Sequence, residues 1–229
     1  MQTPDDPLRG GVSPASPMRA GARAASPLWR AKAVLAYRLF FRPRAGMILS
    51  ARCHWKLENR AVLRGFRHRG IFLYGNLTET PLDAFVPARL TRKRLLLPAP
   101  RAVFHDRKKP LGARALILDT PETPADYRPF LECIEKHTVR RGAVVIYPGD
   151  SSDAAFLYPV RFDEASFAFT TVFSTGARGR ARATTYLDGP FYPDPGIPRR
   201  ARVAELAGRI RAAMESRLRE APEKGGGAP

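Results

Sequence analysis

The strongest constraint on the fold is a helix-length segment that passes through a glycine into a short apolar run. In "PADYRPFLECIEKHT", Tyr127, Phe130, Leu131, Ile134 and either His137 or Thr138 recur on one face at helical spacing. Gly142 breaks the pattern, and "AVVIYPGD" follows as a buried strand that ends in a polar loop. The texture recurs on both sides. "GIFLYG" reads as a strand, "RKRLLLPAP" holds a second apolar run, and "ARALILD" closes on the turn-rich "TPETP". "FAFTTVFST" and "ARATTYLD" are rich in Thr, aromatic and β-branched residues, as strands are. The chain then shows Val203, Leu206, Ile210, Met214 and Leu218 at helical spacing. Strands alternating with helices predict an α/β layered domain with a mostly parallel sheet flanked by helices.

The ends read differently. Residues 1–27 are rich in Pro, Ala, Gly and Arg without hydrophobic period, and 221–229 end in "EKGGGAP"; both read as disordered tails. Residues 28–50 mix Trp29, Tyr37, Phe40 and Phe41 with Arg30, Lys32, Arg38, Arg42 and Arg44, and no acid interrupts them. That composition predicts a basic amphipathic helix ending before Pro43, suited either to an anionic membrane surface or to packing on the domain that spans 51–220.

Charge bears on partners. The 229 residues carry 39 Lys plus Arg against 21 Asp plus Glu, a formal charge of +18. Such a chain suits phospholipid or nucleic acid, although a bias toward Arg, Ala, Gly and Pro raises the charge with no partner at all. Nucleic acid is disfavoured, because no recognition motif is present and the arginines spread over tails and domain alike. Two cysteines, Cys53 and Cys133, form no disulfide framework or CxxC pair. Four histidines show no metal-ligand spacing, so no metal is expected. No apolar run is long enough to span a bilayer, and the N-terminus lacks the apolar core of a signal peptide. The expectation is a cytoplasmic protein, peripheral to the inner membrane face.

In sheets of this kind function collects where strands run into loops. Two loops stand out: Asn76 to Asp83 after the Ile71 strand, and Pro148 to Asp153 after the Ala143 strand. "GIFLYGNLTETPLDAFVPARL", "GARALILD" and "FLECIEKHTVRRGAVVIYPGDSS" resemble, in order and spacing, the motif blocks of the glycerophospholipid (1-acylglycerol-3-phosphate) acyltransferases. The resemblance covers about 57–218, and it implies a glycerolipid acyltransferase-like fold. It also implies an activity: acyl transfer from acyl-CoA or acyl carrier protein to a lysophospholipid or glycerol-3-phosphate-type hydroxyl, with no bound cofactor. In that family a His removes the proton from the acceptor hydroxyl and an Asp orients the imidazole.

The sequence keeps one half of that pair. Asp83 and Asn76 are present, but the His position falls on Leu77 or, counted back from Asp83, on Thr78. Neither side chain is a base near pH 7. Glu79 lies close by and is a weak base unless burial lifts its pKa. In the second loop Tyr147 and Pro148 match an aromatic-Pro pair, but Gly149 stands where the family has Glu, with Asp150 one residue late. Gly149, Ser151 and Ser152 offer backbone and hydroxyl donors to a phosphate, and Arg161 is a candidate replacement for a basic phosphate contact. His105, beside Asp106, is the alternative base. Asp83, Thr78 and Glu79 are thus the candidate catalytic residues, and Asn76, Tyr147, Pro148, Gly149, Asp150, Ser151 and Arg161 the candidate substrate contacts. The functional expectation is acyl transfer with weakened or lost catalysis; the alternative is a non-catalytic protein that binds lipid or acyl-CoA.

Overall fold

The computed structural model describes residues 35, 37–78, 85–99, 117–121, 123–148, 156–175 and 181–220. Among these, seven strands form one sheet: β1 (His54–Leu57), β2 (Ile71–Gly75), β3 (Leu95–Ala99), β4 (Ile117–Asp119), β5 (Ala143–Ile146), β6 (Ser166–Thr175) and β7 (Ala181–Phe191). Their order is β1-β7-β6-β2-β5-β3-β4. Only the β6–β7 pair is antiparallel; the other neighbours run parallel, as the sequence predicts.

β2 shows why the sheet must be covered on both faces. All five of its residues are buried. Successive side chains point to opposite faces, so the run feeds two cores. Ile71 and Leu73 pack with Phe41, Ala45, Leu49, Val86 and Leu90 on one face. Phe72 and Tyr74 pack with Phe130, Ile134, Phe156, Leu206 and Ile210 on the other. The first face is covered by α1 (Arg42–Arg52), a 3-10 helix (Arg60–Phe66) and α2 (Val86–Leu90); the second by α3 (Pro124–Val139), α4 (Leu157–Phe162) and α5 (Arg199–Glu220). The helical stripes expected in α3 and α5 supply that second core. Their outer members, Tyr127 and Leu218, stay 38% and 47% exposed. Arg217 fastens the end of α5 to β7 with a two-point bond to Asp188, at 2.7 and 3.1 Å.

A helical turn does stop just before Pro43, and a second helix starts around it. The first, a π-helical turn, Tyr37–Phe41, ends at the N-cap of α1, and Pro43 sits in the first turn of α1, where proline is well tolerated. Phe41, Ala45 and Leu49 are buried in the core, packed with Ile71 and Leu73 of β2. α3 ends at Val139, before Gly142, and the left-handed residue after it is Arg141, with φ 64°. Gly142 is set by close approach: a Cβ there would run into the His137 ring.

Candidate functional site

β2 and β5 are hydrogen-bonded neighbours in register from Ile71↔Ala143 to Tyr74↔Ile146. The loop beginning at Asn76 and the loop beginning at Tyr147-Pro148 therefore leave the sheet side by side, at the carboxyl ends of adjacent parallel strands. Their roots share one aromatic contact. Phe169, on β6 opposite Gly75, lies where a Cβ on Gly75 would have to go. The same ring meets Tyr147 edge-on, with centroids 5.7 Å apart. Glycine at 75 is thus set by close approach, and it lets Tyr147, Phe169 and the end of β2 pack at one point.

Asn76 is committed to the scaffold. Its side-chain amide donates to the Thr171 carbonyl at 2.9 Å, and its side-chain carbonyl accepts from the Thr171 N–H at 2.7 Å. A side chain has taken over the ladder between β2 and β6 where the strands diverge. The polar chain continues inward. The Thr171 hydroxyl is 3.0 Å from the Thr185 hydroxyl on β7, which accepts from the Trp55 indole N–H on β1 at 2.9 Å. The Arg89 guanidinium lies 5.8 Å from the centre of the Trp55 ring, within cation–π range. Sequence reading missed Thr171, Thr185 and Trp55. The Thr-rich "FAFTTVFST" and "ARATTYLD" signalled strands, but which hydroxyls meet depends on the β6–β7 register, Thr171↔Thr185.

Leu77 is 58% exposed at this edge, and Thr78 is half-buried beside it. Tyr147 and Pro148 are half-buried. Glu79, Asp83, His105, Gly149, Asp150, Ser151 and Ser152 lie outside the described residues. On the far side of the first loop Phe85 stacks on Phe41 with centroids 5.9 Å apart, which ties the entrance of α1 to the chain two residues beyond Asp83. Arg161 is not brought to the same place. It sits exposed on α4, against the face that holds Tyr158 and Val203, and borders a small cavity of about 150 Å³ with Tyr127, Leu131 and Tyr158. Tyr147 packs on the opposite face. Burial, helped by Tyr127, pushes the Tyr158 hydroxyl well above its ordinary pKa.

None of the described histidines reaches the edge formed by β2 and β5. His54 opens β1, three strands from β2. His68 lies before β2, with its Nδ1 3.3 Å from the Arg141 guanidinium. His137 is buried near the end of α3, with Nε2 3.0 Å from the Arg94 carbonyl. Burial lowers its pKa to about 4 despite that bond. Cys53 is buried, with its thiol 3.3 Å from the Leu49 carbonyl, and burial raises the Cys133 pKa; neither has the surroundings of an activated thiolate. Among the described residues no group of three or more His, Cys, Asp or Glu could hold a metal ion. The described part of the edge therefore offers a rigid rim and an exposed apolar side chain, and no group that is basic near pH 7.

No family model and no curated protein matches the sequence. Among solved structures, the chain is similar to the 1-acyl-sn-glycerophosphate (LPA) acyltransferase PlsC from Thermotoga maritima, with a TM-score of 0.56 and 12% identity over 86% of this chain and 91% of that one. At that identity the likeness is one of fold: this chain has an acyltransferase-like fold.

Proposed function

We propose that the chain binds a lysophospholipid and an acyl thioester, from acyl-CoA or acyl carrier protein, over the carboxyl ends of β2 and β5, and that acyl transfer there is weakened or lost. The observation that carries this reading is the register of β2 and β5, which sets the roots of the Asn76–Asp83 and Pro148–Asp153 loops side by side. The likeness of the fold to a lysophosphatidic acid acyltransferase supports the ligand class. Leu77, exposed at the edge, and Thr78 beside it occupy the two candidate positions for the missing His, which favours binding over turnover. Oriented binding of an activated thioester still gives some rate through proximity, whereas loss of a positioned base costs about 10² to 10⁴.

Acyl transfer from acyl-CoA to lysophosphatidic acid tests the reading. The unaltered protein should bind acyl-CoA, and its turnover should lie at least about 100-fold below that of the better of Leu77→His and Thr78→His. Turnover in the unaltered protein that matches both His variants, and that Asp83→Ala abolishes, would instead identify a working enzyme with another base.

A further inference from the structure

The strands that form the candidate site also have amino ends, and a cleft rich in arginine lies there. β2, β5 and β3 start level with one another, with Ile71↔Ala143 and Leu95↔Ala143 paired. The three segments that lead into them enclose a cleft of about 720 Å³, a volume typical of small-molecule sites. Arg60, Arg64 and Arg67 form one wall, from the 3-10 helix and the turn after it. Arg92 and Arg94 flank Lys93 on the second, before β3, and Arg140 with Arg141 form the third, after α3. Among the described residues no carboxylate lines the cleft.

The cleft is held in shape by its own chemistry. The Lys93 ammonium donates to the carbonyls of Arg67, Arg69 and Arg141, at 3.2, 2.6 and 3.1 Å. One cation thereby ties all three walls together. Burial first, and then the Arg141 charge, depress the Lys93 pKa, as expected where cations crowd; Glu164 opposes this without lining the cleft. Arg141 itself takes the left-handed backbone conformation, which is uncommon outside glycine and asparagine.

Among the described residues, surface arginines fall into two groups, one paired with carboxylates and one not; five of the cleft arginines, like Arg52 and Arg182 elsewhere, belong to the second. Arg128, Arg209, Arg217 and Arg219 are each paired with a carboxylate. Among the described residues, Arg60, Arg64, Arg67, Arg92 and Arg140 pair with none, and all five are exposed. Guanidinium forks match phosphate oxygens two at a time. Forks that converge from three walls suit a ligand with several phosphates. The cleft is concave, so the plane of a bilayer's headgroups would meet only its rim.

We infer that this cleft, at the opposite end of the strands from the candidate acyl-transfer edge, binds a compact soluble anion that carries two or more phosphates. Titration calorimetry of the full chain with inorganic tripolyphosphate, in about 0.15 M salt, tests it. The expected result is saturable one-to-one binding, weakened at least about ten-fold in an Arg64→Ala/Arg92→Ala/Arg140→Ala triple variant. A control triple, Arg128→Ala/Arg182→Ala/Arg219→Ala, removes the same charge from exposed positions elsewhere and should stay within about two-fold of the unaltered protein. A parallel titration with ATP distinguishes a nucleotide, which would bind more tightly, from the bare phosphate chain. Equal losses in the two triples, or no saturation, would overturn the site. So would binding to phosphatidylglycerol vesicles that the cleft triple loses, if tripolyphosphate itself does not bind. Circular dichroism of both triples checks that the fold is intact.

Discussion

At the scale of single residues, Asn76 shows how a position with the look of a ligand contact can serve the backbone. Its amide completes two hydrogen bonds to Thr171, a residue only 2% exposed. Asn76→Ala would leave a buried N–H and a buried C=O without partners, at a cost of about 2 kcal/mol. Asn76→Asp keeps the acceptor for the Thr171 N–H but sets a carboxylate against the carbonyl, so it should also destabilise. Thermal unfolding followed by circular dichroism reads both; an Ala variant as stable as the unaltered protein would remove the clamp. The sequence alone could not separate this role from substrate contact. It shows Asn76 at a strand end, whereas the partner lies 95 positions away on a strand whose register is set by folding.

At the scale of elements, α3 carries a pH dependence of its own. His137 is buried on α3, against the start of β5, and its pKa falls from 6.5 to about 4. The unfolded chain therefore takes up a proton as the pH drops below 6.5, while the folded chain resists until about 4. Stability from this group is intact above that window and is lost as the pH falls through it, by about 2 kcal/mol between pH 7 and pH 5. Urea unfolding at those two pH values should show His137→Gln losing about that much less than the unaltered protein.

The legibility of the elements follows from their burial. β2 and β5 stand out as apolar runs because both faces of each are covered. β1, "HWKL", was not legible: it is an edge strand with half-buried residues alternating with exposed ones, and four residues give too short a pattern. α2 and α4 were missed because each has a proline and fewer than two turns, so it shows no helical period. Pro43 signalled an end and not the start beside it, because a proline that ends one helix also suits the first turn of the next.

At the scale of the molecule, exposed apolar side chains gather at one corner. Leu35, Leu39, Phe40 and Met47 stay 57–72% exposed around the entrance to α1, and Arg44 is exposed on the same helix. Phe41, beside Phe40, stacks on Phe85 close to the first loop. Among the described residues no helix is long and apolar enough to cross a membrane. An interfacial seat on anionic lipid is the arrangement we propose for this corner, worth about 2 kcal/mol for each large side chain inserted. Leu39→Ser/Phe40→Ser should cut sedimentation with phosphatidylglycerol vesicles by at least about ten-fold, with the residual binding sensitive to salt. Point changes are the right tool, because removal of residues 1–50 would take Ala45 and Leu49 out of the core.

The hydroxyl chain from Thr171 through Thr185 to Trp55 has an optical consequence. Indole emission responds to what its N–H touches. Whatever loosens Asn76 from Thr171 disturbs the hydroxyl that meets Thr185, and through it the bond to the indole. Trp55, in the edge strand of the sheet, thus lets the colour of indole emission, read in a Trp29→Phe variant so that Trp55 is the sole indole, report whether Asn76 still holds Thr171.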